Sequence, residues 1–391
     1  MANVFLTPDV VAKEALVLLQ SNLVVTQLFS RRYEADLNAG SKVGDRIRIR
    51  RRSKGVVDEY NGTSVNVRDI AETNTSLVLE KHFDATIKIT DKERTLDIVD
   101  FSEQILAPRM IEMGERIDSY GLTKLASLPQ AAGPSETAPA GLPDSIADMA
   151  LVEKTLNDLK VPMAPRFQIA STEYKATLLG VDSFVEVDKS GADTALRRSE
   201  IGAIMGFDTF MAQNVDTSTF TSGTQTGIVI DNGAGGNTNN RANSTTITYD
   251  GGDVAAGTLL EGDIVEIAGY GGVVVAADAV ATTGAGTFTI REPLREDLDD
   301  DAAGTVYDGG GNTRALHGAV FHPDAFAFVA VPLDLPTGTE AAYMADPATG
   351  LAIRAVYDYD RDLKSDVLSL DILVGAEMVD GRLGAQIVKN I

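Results

Sequence analysis

Residues 40–90 hold three short runs in which polar and apolar side chains alternate, with almost nothing around them from which a core could be built. Arg46-Ile47-Arg48-Ile49-Arg50, Ser76-Leu77-Val78-Leu79-Glu80 and Thr86-Ile87-Lys88-Ile89-Thr90 carry the period of two expected of half-buried strands. A turn cluster, Asn38 to Asp45, leads into the first run, and a polar, turn-rich stretch from Gly55 to Ala71 separates it from the second. A short amphipathic helix from Pro8 to about Gln20 precedes them. A two-stranded ribbon is marginal on its own in water, so a long one needs a surface to lie on. That surface is either the protein's own body or a neighbouring subunit; length and polarity favour the neighbour. On that reading Ile47 and Ile49 should be less buried than isoleucine usually is.

Charge sharpens this expectation. The 391 residues carry a net charge of −23, which argues against a protein whose whole surface binds nucleic acid. Yet residues 42–54 hold seven basic side chains against the single acid Asp45, while acid concentrates elsewhere, as in Arg295-Glu296-Asp297-Leu298-Asp299-Asp300-Asp301. A basic arm and acidic patches on one chain can pair between copies and set orientation and register. Arg46, Arg48 and Arg50 should share one strand face turned toward acidic groups of another copy. Arg51, Arg52, Ile47 and Ile49 complete the candidate intersubunit contacts.

The rest of the chain reads as two or three modules. Residues 97–128 have a mostly helical apolar spacing, with Asp100 and Ser102 as candidate N-caps and Pro108 expected to kink the helix or start its regular part. Residues 129–143 form a Pro/Ala/Gly connector expected to be exposed. A helix over 147–160, a buried strand Phe167-Gln168-Ile169-Ala170 and a helix over 171–179 follow. From about Thr217 to Gly311 helical periodicity vanishes, and short strands at 227–230, 245–249, 263–268, 273–276 and 287–290 alternate with Gly- and Asp-rich turns. This block indicates a small β-barrel or sandwich inserted into a surface loop, with its ends close together and its loops at 233–243 and 297–304 lacking apolar anchors. Helical and mixed character is expected to resume near Ala319.

Catalytic chemistry is nearly absent from the sequence. Without cysteine there is no disulfide, thiol nucleophile or thiolate metal site. His82, His317 and His322 lack the i, i+4 spacing of a helical metal pair. The Gly-rich Asp231 to Asn237 stretch lacks the Lys-Ser/Thr of a phosphate loop, and Asp297 to Asp301 lacks EF-hand spacing. Asp9, Lys13 and Glu14 interrupt the apolar stretch a signal peptide would need, and no run is long and apolar enough to span a membrane. An enzyme is the weaker class, and no cofactor or metal is expected.

Several ordered blocks resemble the P-twenty-two-type coat proteins of tailed double-stranded DNA bacteriophages. Asn22-Leu23-Val24-Val25, Arg31-Arg32-Tyr33-Glu34 and Gly44-Asp45-Arg46-Ile47-Arg48-Ile49-Arg50-Arg51 are similar to the family's opening. Residues 97–108 resemble the start of its spine helix. Leu159-Lys160-Val161-Pro162, Gly206-Phe207-Asp208-Thr209-Phe210, Glu261-Gly262-Asp263-Ile264-Val265, Phe321-His322-Pro323-Asp324-Ala325-Phe326 and Tyr357-Asp358-Tyr359-Asp360 resemble later blocks, so the likeness spans nearly the whole chain. It implies an α+β, HK-ninety-seven-type capsid fold with an inserted all-β, telokin-like domain. The implied layout is an N-terminal arm (1–37), an extended loop (38–90), a peripheral domain with the spine helix (91–130), an axial domain (131–216), the inserted barrel (217–317) and a C-terminal axial/peripheral part (318–391). The block at 217–317 is richer in Gly and Asp than the family's insertion, so individual contacts do not carry over. The implied function is a non-enzymatic major capsid protein of the virion, assembled in the host cytoplasm. Its implied partners are other copies in hexamers and pentamers, a scaffolding protein, a portal and non-specifically contacted packaged DNA; whether decoration proteins bind is open, and no membrane is involved. The alternatives are an encapsulin-like compartment shell and an acidic β-rich surface or adhesion protein.

Overall fold

A computed structural model describes residues 8–33, 46–51, 59, 74–90, 105–134, 141–185, 202–215, 219–231, 238–250, 257–281, 286–307, 310–331, 333–346, 350–360 and 365–390. The chain divides into two compact units, one of residues 1–47, 76–124 and 326–377, the other of 48–75, 125–325 and 378–391.

The first unit packs two helices against an antiparallel sheet. Helix α1 (Pro8–Asn22) starts at a proline, whose missing N–H costs nothing in the first turn. It buries Val11, Ala12, Ala15, Leu16 and Leu19 along one stripe. Helix α2 (Ala107–Leu125) begins one residue before Pro108, so the proline starts the regular part rather than kinking it. Met110, Met113, Ile117 and Leu122 are buried, whereas Ile111 is exposed. The proposed caps Asp100 and Ser102 lie outside the described residues. The sheet runs β18 (Phe326–Val331), β21 (Ser365–Met378), β20 (Ala352–Asp360), β19 (Glu340–Ala345), with β3 (Lys81–Thr90) added on β21. β3 pairs with β21 over ten positions, from Lys81↔Val374 to Thr90↔Ser365. The third alternating run is therefore an edge of the chain's own sheet and not part of a projecting ribbon. Its alternation serves that sheet: Ile87 is buried while Asp84, Thr86 and Lys88 face solvent.

Asp118 ties the segment after α1 to α2. Its carboxylate accepts the Val24 N–H at 2.7 Å, the Thr26 N–H at 3.2 Å and the Thr26 hydroxyl at 3.0 Å. Burial pushes the Asp118 carboxyl up, against the lowering effect of those donors. Beyond them, Ser30 bridges to Ala327 and Phe29 stacks on Phe326 with ring centroids 4.8 Å apart.

The second unit is built on a mixed sheet ordered β4 (Ala131–Ala132), β22 (Gly384–Asn390), β17 (Thr313–Phe321), β5 (Phe167–Ala170), β7 (Phe207–Met211), β6 (Ala203–Ile204), with β8 (Thr219–Thr221) also on β17. Helix α3 (Ile146–Asp158) opens on Ser145, whose hydroxyl accepts the Asp148 N–H at 3.2 Å. Ser171 caps α4 (Thr172–Leu179) in the same way, and the short α5 (Asp182–Val185) follows. Met149, Val152, Leu156, Tyr174, Phe207 and Ile387 belong to one core cluster.

Two expectations fail here. The described ends of the connector are not exposed: Pro129, Gln130, Ala132, Leu142 and Pro143 are buried, and β4 runs parallel to β22. Small side chains let this segment lie flat on the sheet, where the Gln386 amide donates to the Leu128 carbonyl at 2.6 Å. Nor does helical character return at Ala319. β17 and β18 are strands joined by a single 3-10 turn, Pro323–Ala325. The apolar run around Phe321 is a doubly covered strand, which periodicity alone does not separate from a buried helix.

Between β8 and β17 the chain forms a closed barrel. Its strands are β9 (Gly227–Ile230), β10 (Thr246–Asp250), β12 (Ile264–Ile267), β13 (Gly271–Val274), β15 (Gly286–Thr289) and β16 (Ala303–Val306), with a side hairpin of β11 (Gly257–Leu259) and β14 (Ala279–Ala281). Neighbours run antiparallel in the order β13-β12-β16-β9-β10-β15, and a Val275↔Ile290 bridge joins the two ends. Closure removes the exposed edges that six short strands would otherwise present. Ile228, Ile230, Ile247, Val265, Ile267 and Phe288 fill the interior. The segment leaves and returns at adjacent positions, since Thr221 of β8 faces Thr313 of β17. The acidic loop does have apolar anchors, contrary to expectation: Leu294 and Leu298 are buried in the barrel core, while Asp299 and Asp300 point outward.

Candidate assembly surface

β1 (Arg46–Arg50) pairs with β2 (Asn74–Val78) in a separate two-stranded sheet. Along β1 the alternation divides the side chains cleanly. Arg46, Arg48 and Arg50 are all exposed on one face, Ile47 is half-buried, and Ile49 is only 2% exposed. The burial of Ile49 corrects the expectation for a free arm; Leu77 on β2 is buried as well. Ion pairs of arginines exposed in this way are weak within one chain.

Arg51 departs from this pattern. Its Nη2 donates to Glu292 Oε1 at 2.8 Å, its Nε to the Thr75 hydroxyl, and its side chain is 8% exposed. It is an internal ion pair with the barrel turn, not a surface cation offered to another copy. Arg52 lies outside the described residues.

That pair is the first link of a longer network. Glu292 Oε2 also receives Arg295 Nη2 at 3.4 Å; Arg295 Nη2 reaches Asp380 Oδ1 at 2.8 Å; and Arg382 Nη2 meets Asp380 Oδ2 at 3.1 Å. Burial pushes the Glu292 carboxyl up even though Arg51 and Arg295 oppose the shift. The joint between barrel and sheet is tight on the other side too. A Cβ on Gly272 of β13 would sit 1.9 Å from the Pro129 carbonyl oxygen, so only glycine fits there. The network joins residues about 330 positions apart, and sequence reasoning singled out only Arg51 among them for a role.

Among the described residues the histidines assemble no Ser–His–acid group. His317 Nδ1 lies 3.3 Å from Ser171 Oγ and 3.6 Å from Glu173 Oε2. Both contacts converge on one ring nitrogen, and Ser171 Oγ already accepts the Tyr174 N–H as a helix cap, so no Ser–His–acid relay is formed. Burial lowers the His317 pKa. His82 sits beside Asp371, itself held by Arg354 Nε at 2.9 Å, and His322 Nδ1 accepts the Asp324 N–H. Among the described residues no group of three or more His, Asp or Glu side chains could hold a metal ion, and no helix is long and apolar enough to cross a membrane.

No protein-family model matches the sequence, and no curated protein does. Solved structures do resemble it. A structure of Mycobacterium phage Che8 is similar over 93% of this chain and 90% of that chain, with 14% identity and a TM-score of 0.52. The capsid of cyanophage P-SCSP1u is similar over 93% and 87%, with 10% identity and a TM-score of 0.49. The capsid of Ralstonia phage GP4 follows at 95% and 90%, 8% identity and 0.46. The likeness to the phage Che8 structure extends along nearly the whole chain and shows its fold, the α+β, HK-ninety-seven-type fold expected from the sequence.

Proposed function

We propose that this chain is the major capsid protein of a tailed bacteriophage, of the P-twenty-two-like coat family, and that it assembles without catalysis into an icosahedral head around double-stranded DNA. The observation that carries this reading is the fold shared with the phage Che8 structure over 93% of the chain. The exposed Arg46, Arg48 and Arg50 face supports it, because a cationic strand on a chain of net charge −23 has acidic partners on every other copy. Subunits meet in hexamers and pentamers through this strand, a scaffolding protein and a portal nucleate assembly in the host cytoplasm, and packaged DNA is touched without sequence preference. The barrel is the inserted telokin-like domain on the shell's outer face. Negative-stain microscopy of the purified protein, with nucleic acid assayed inside the particles, tests the proposal. Closed shells formed with a phage scaffolding protein and able to hold DNA are expected. Shells that enclose only protein cargo indicate a compartment instead, and a protein that stays monomeric under all conditions refutes the reading.

A further inference from the structure

Near the point where the barrel rejoins the sheet, the ladder between β17 and β22 carries one extra residue. Leu316 faces Val388 and Gly318 faces Ile387, so His317 is the bulge. On one side of it β17 pairs with β8, the strand that leads into the barrel; on the other it pairs with β5. The His317 residue is 3% exposed. The start of α4 holds it through both backbone and side chain. The Ser171 N–H donates to the His317 carbonyl at 2.8 Å, and Ser171 Oγ lies 3.3 Å from Nδ1. That oxygen already accepts the Tyr174 N–H, so its own hydrogen goes to Nδ1, which suits a neutral ring with its proton on Nε2. Glu173 Oε2 stands 3.6 Å from the same nitrogen, while Glu173 Oε1 is held by Lys389 Nζ at 2.5 Å.

We propose that Ser171, Glu173, His317 and Lys389 form an acid-sensitive latch at the root of the barrel, which opens locally when His317 takes up a proton. A proton on Nδ1 turns that nitrogen from acceptor to donor, so the Ser171 hydroxyl loses the partner for its hydrogen. The acceptor left within reach of the ring is Glu173, which turns to it only by leaving Lys389. Lys389 lies opposite Ala315 in the ladder, so its release frees the β22 side of the bulge as Ser171 frees the α4 side. Charge acts in the same direction. Burial holds the closed ring neutral below the ordinary histidine range; Glu173 opposes this and Lys389 reinforces it, and these are the charged groups that act on the ring among the described residues. Tyr174, the other titratable group at this end of α4, is pushed up by burial and stays neutral. The open state gives the ring water and its ordinary proton affinity, so acid favours opening. This inference is independent of the capsid reading.

The test is a pH titration of the full-length, unassembled subunit labelled with carbon-13 at histidine Cε1, with hydrogen exchange of the Ser171 and Tyr174 amides measured at the same pH values. The His317 resonance, identified by its loss in His317→Gln, is expected to titrate below the ordinary histidine value of about 6.5. A folded-state value below the open-state one gives a contribution fully present above about pH 6.5 and lost as pH falls toward the folded value. Protection of the two amides should therefore fall with pH in that window by up to about tenfold per pH unit, the slope for one proton bound on opening, and then level off. His317→Gln should remove the step. Glu173→Gln, at an exposed position, should move the His317 midpoint lower still, and Lys389→Met should move it up. A His317 resonance that titrates at or above the ordinary value, or protection with the same pH dependence in wild type and His317→Gln, overturns the proposal. If His317→Gln does not fold, the resonance is assigned by elimination with His82→Gln and His322→Gln, and a midpoint unmoved by Glu173→Gln overturns the proposal.

Discussion

Removing the Asp118 carboxylate should cost more stability than any surface change in the first unit. The side chain of Asp118→Ala offers no acceptor to the N–H groups of Val24 and Thr26 or to the Thr26 hydroxyl. Thr26 is fully buried and Asp118 is 6% exposed, so water is a poor substitute. Each buried donor left without a partner costs about 1–3 kcal/mol. The hydroxyl can turn elsewhere, which leaves two backbone donors and a loss of about 2–6 kcal/mol. The upper part of that range is trimmed, because burial already pushes the Asp118 carboxyl up and its ionised form is therefore held at some expense. The expected loss is about 2–4 kcal/mol, with Asp118→Asn intermediate because its amide keeps one acceptor oxygen. Urea unfolding of the unassembled subunit, followed by circular dichroism, measures it. A Thr26→Ala change in the Asp118→Ala background should cost less than in wild type, since the two share a bond. A loss below about 1 kcal/mol at unchanged m-value would refute the claim that this carboxylate pins the segment after α1 to α2.

Other consequences are as specific. Arg46→Glu combined with Arg48→Glu should leave subunit stability within about 0.5 kcal/mol, as exposed positions do, while particle yield by sedimentation falls sharply; unaltered yield removes β1 from the assembly surface. Gly272→Ala drives a methyl into the Pro129 carbonyl and should destabilise by about 1–3 kcal/mol or more, with faster proteolysis at the barrel joint; wild-type Tm and digestion pattern would contradict the observed approach. Asp263 is fully buried, and burial raises its carboxyl above the usual range although the Leu260 and Gly223 N–H groups oppose it. A folded-state value above the unfolded one gives a contribution fully present below the unfolded carboxylate value of about 4 and lost as pH rises through the folded value. Wild type should therefore lose stability relative to Asp263→Asn as pH rises above about 4; a pH-independent difference would show that Asp263 is not perturbed.

Local pattern was enough for the elements that depend on local pattern. Five of the six barrel strands were legible to within about two residues because their alternation and Gly/Asp turns are properties of neighbouring residues, whereas β16 (Ala303–Val306) begins inside the stretch read as an acidic loop. The helices over 8–22 and 146–158 were legible for the same reason, through apolar spacing, and the helix over 172–179 was expected too, although the Ser145 and Ser171 caps were not. The order of blocks along the chain carried the fold class. What the sequence could not decide was which partner each apolar face would find. Thr86 to Thr90 and Arg46 to Arg50 look alike as strings, yet one is an edge of a five-stranded sheet and the other a face of exposed arginines. The Pro/Ala connector reads as a linker until β22 arrives beside it. Arg51 reads as one more cation of a basic arm until Glu292, 241 positions away, takes its charge. Hydrogen bonds and ion pairs between distant residues depend on three-dimensional closure, and closure is a property of the whole chain that no window of its sequence contains.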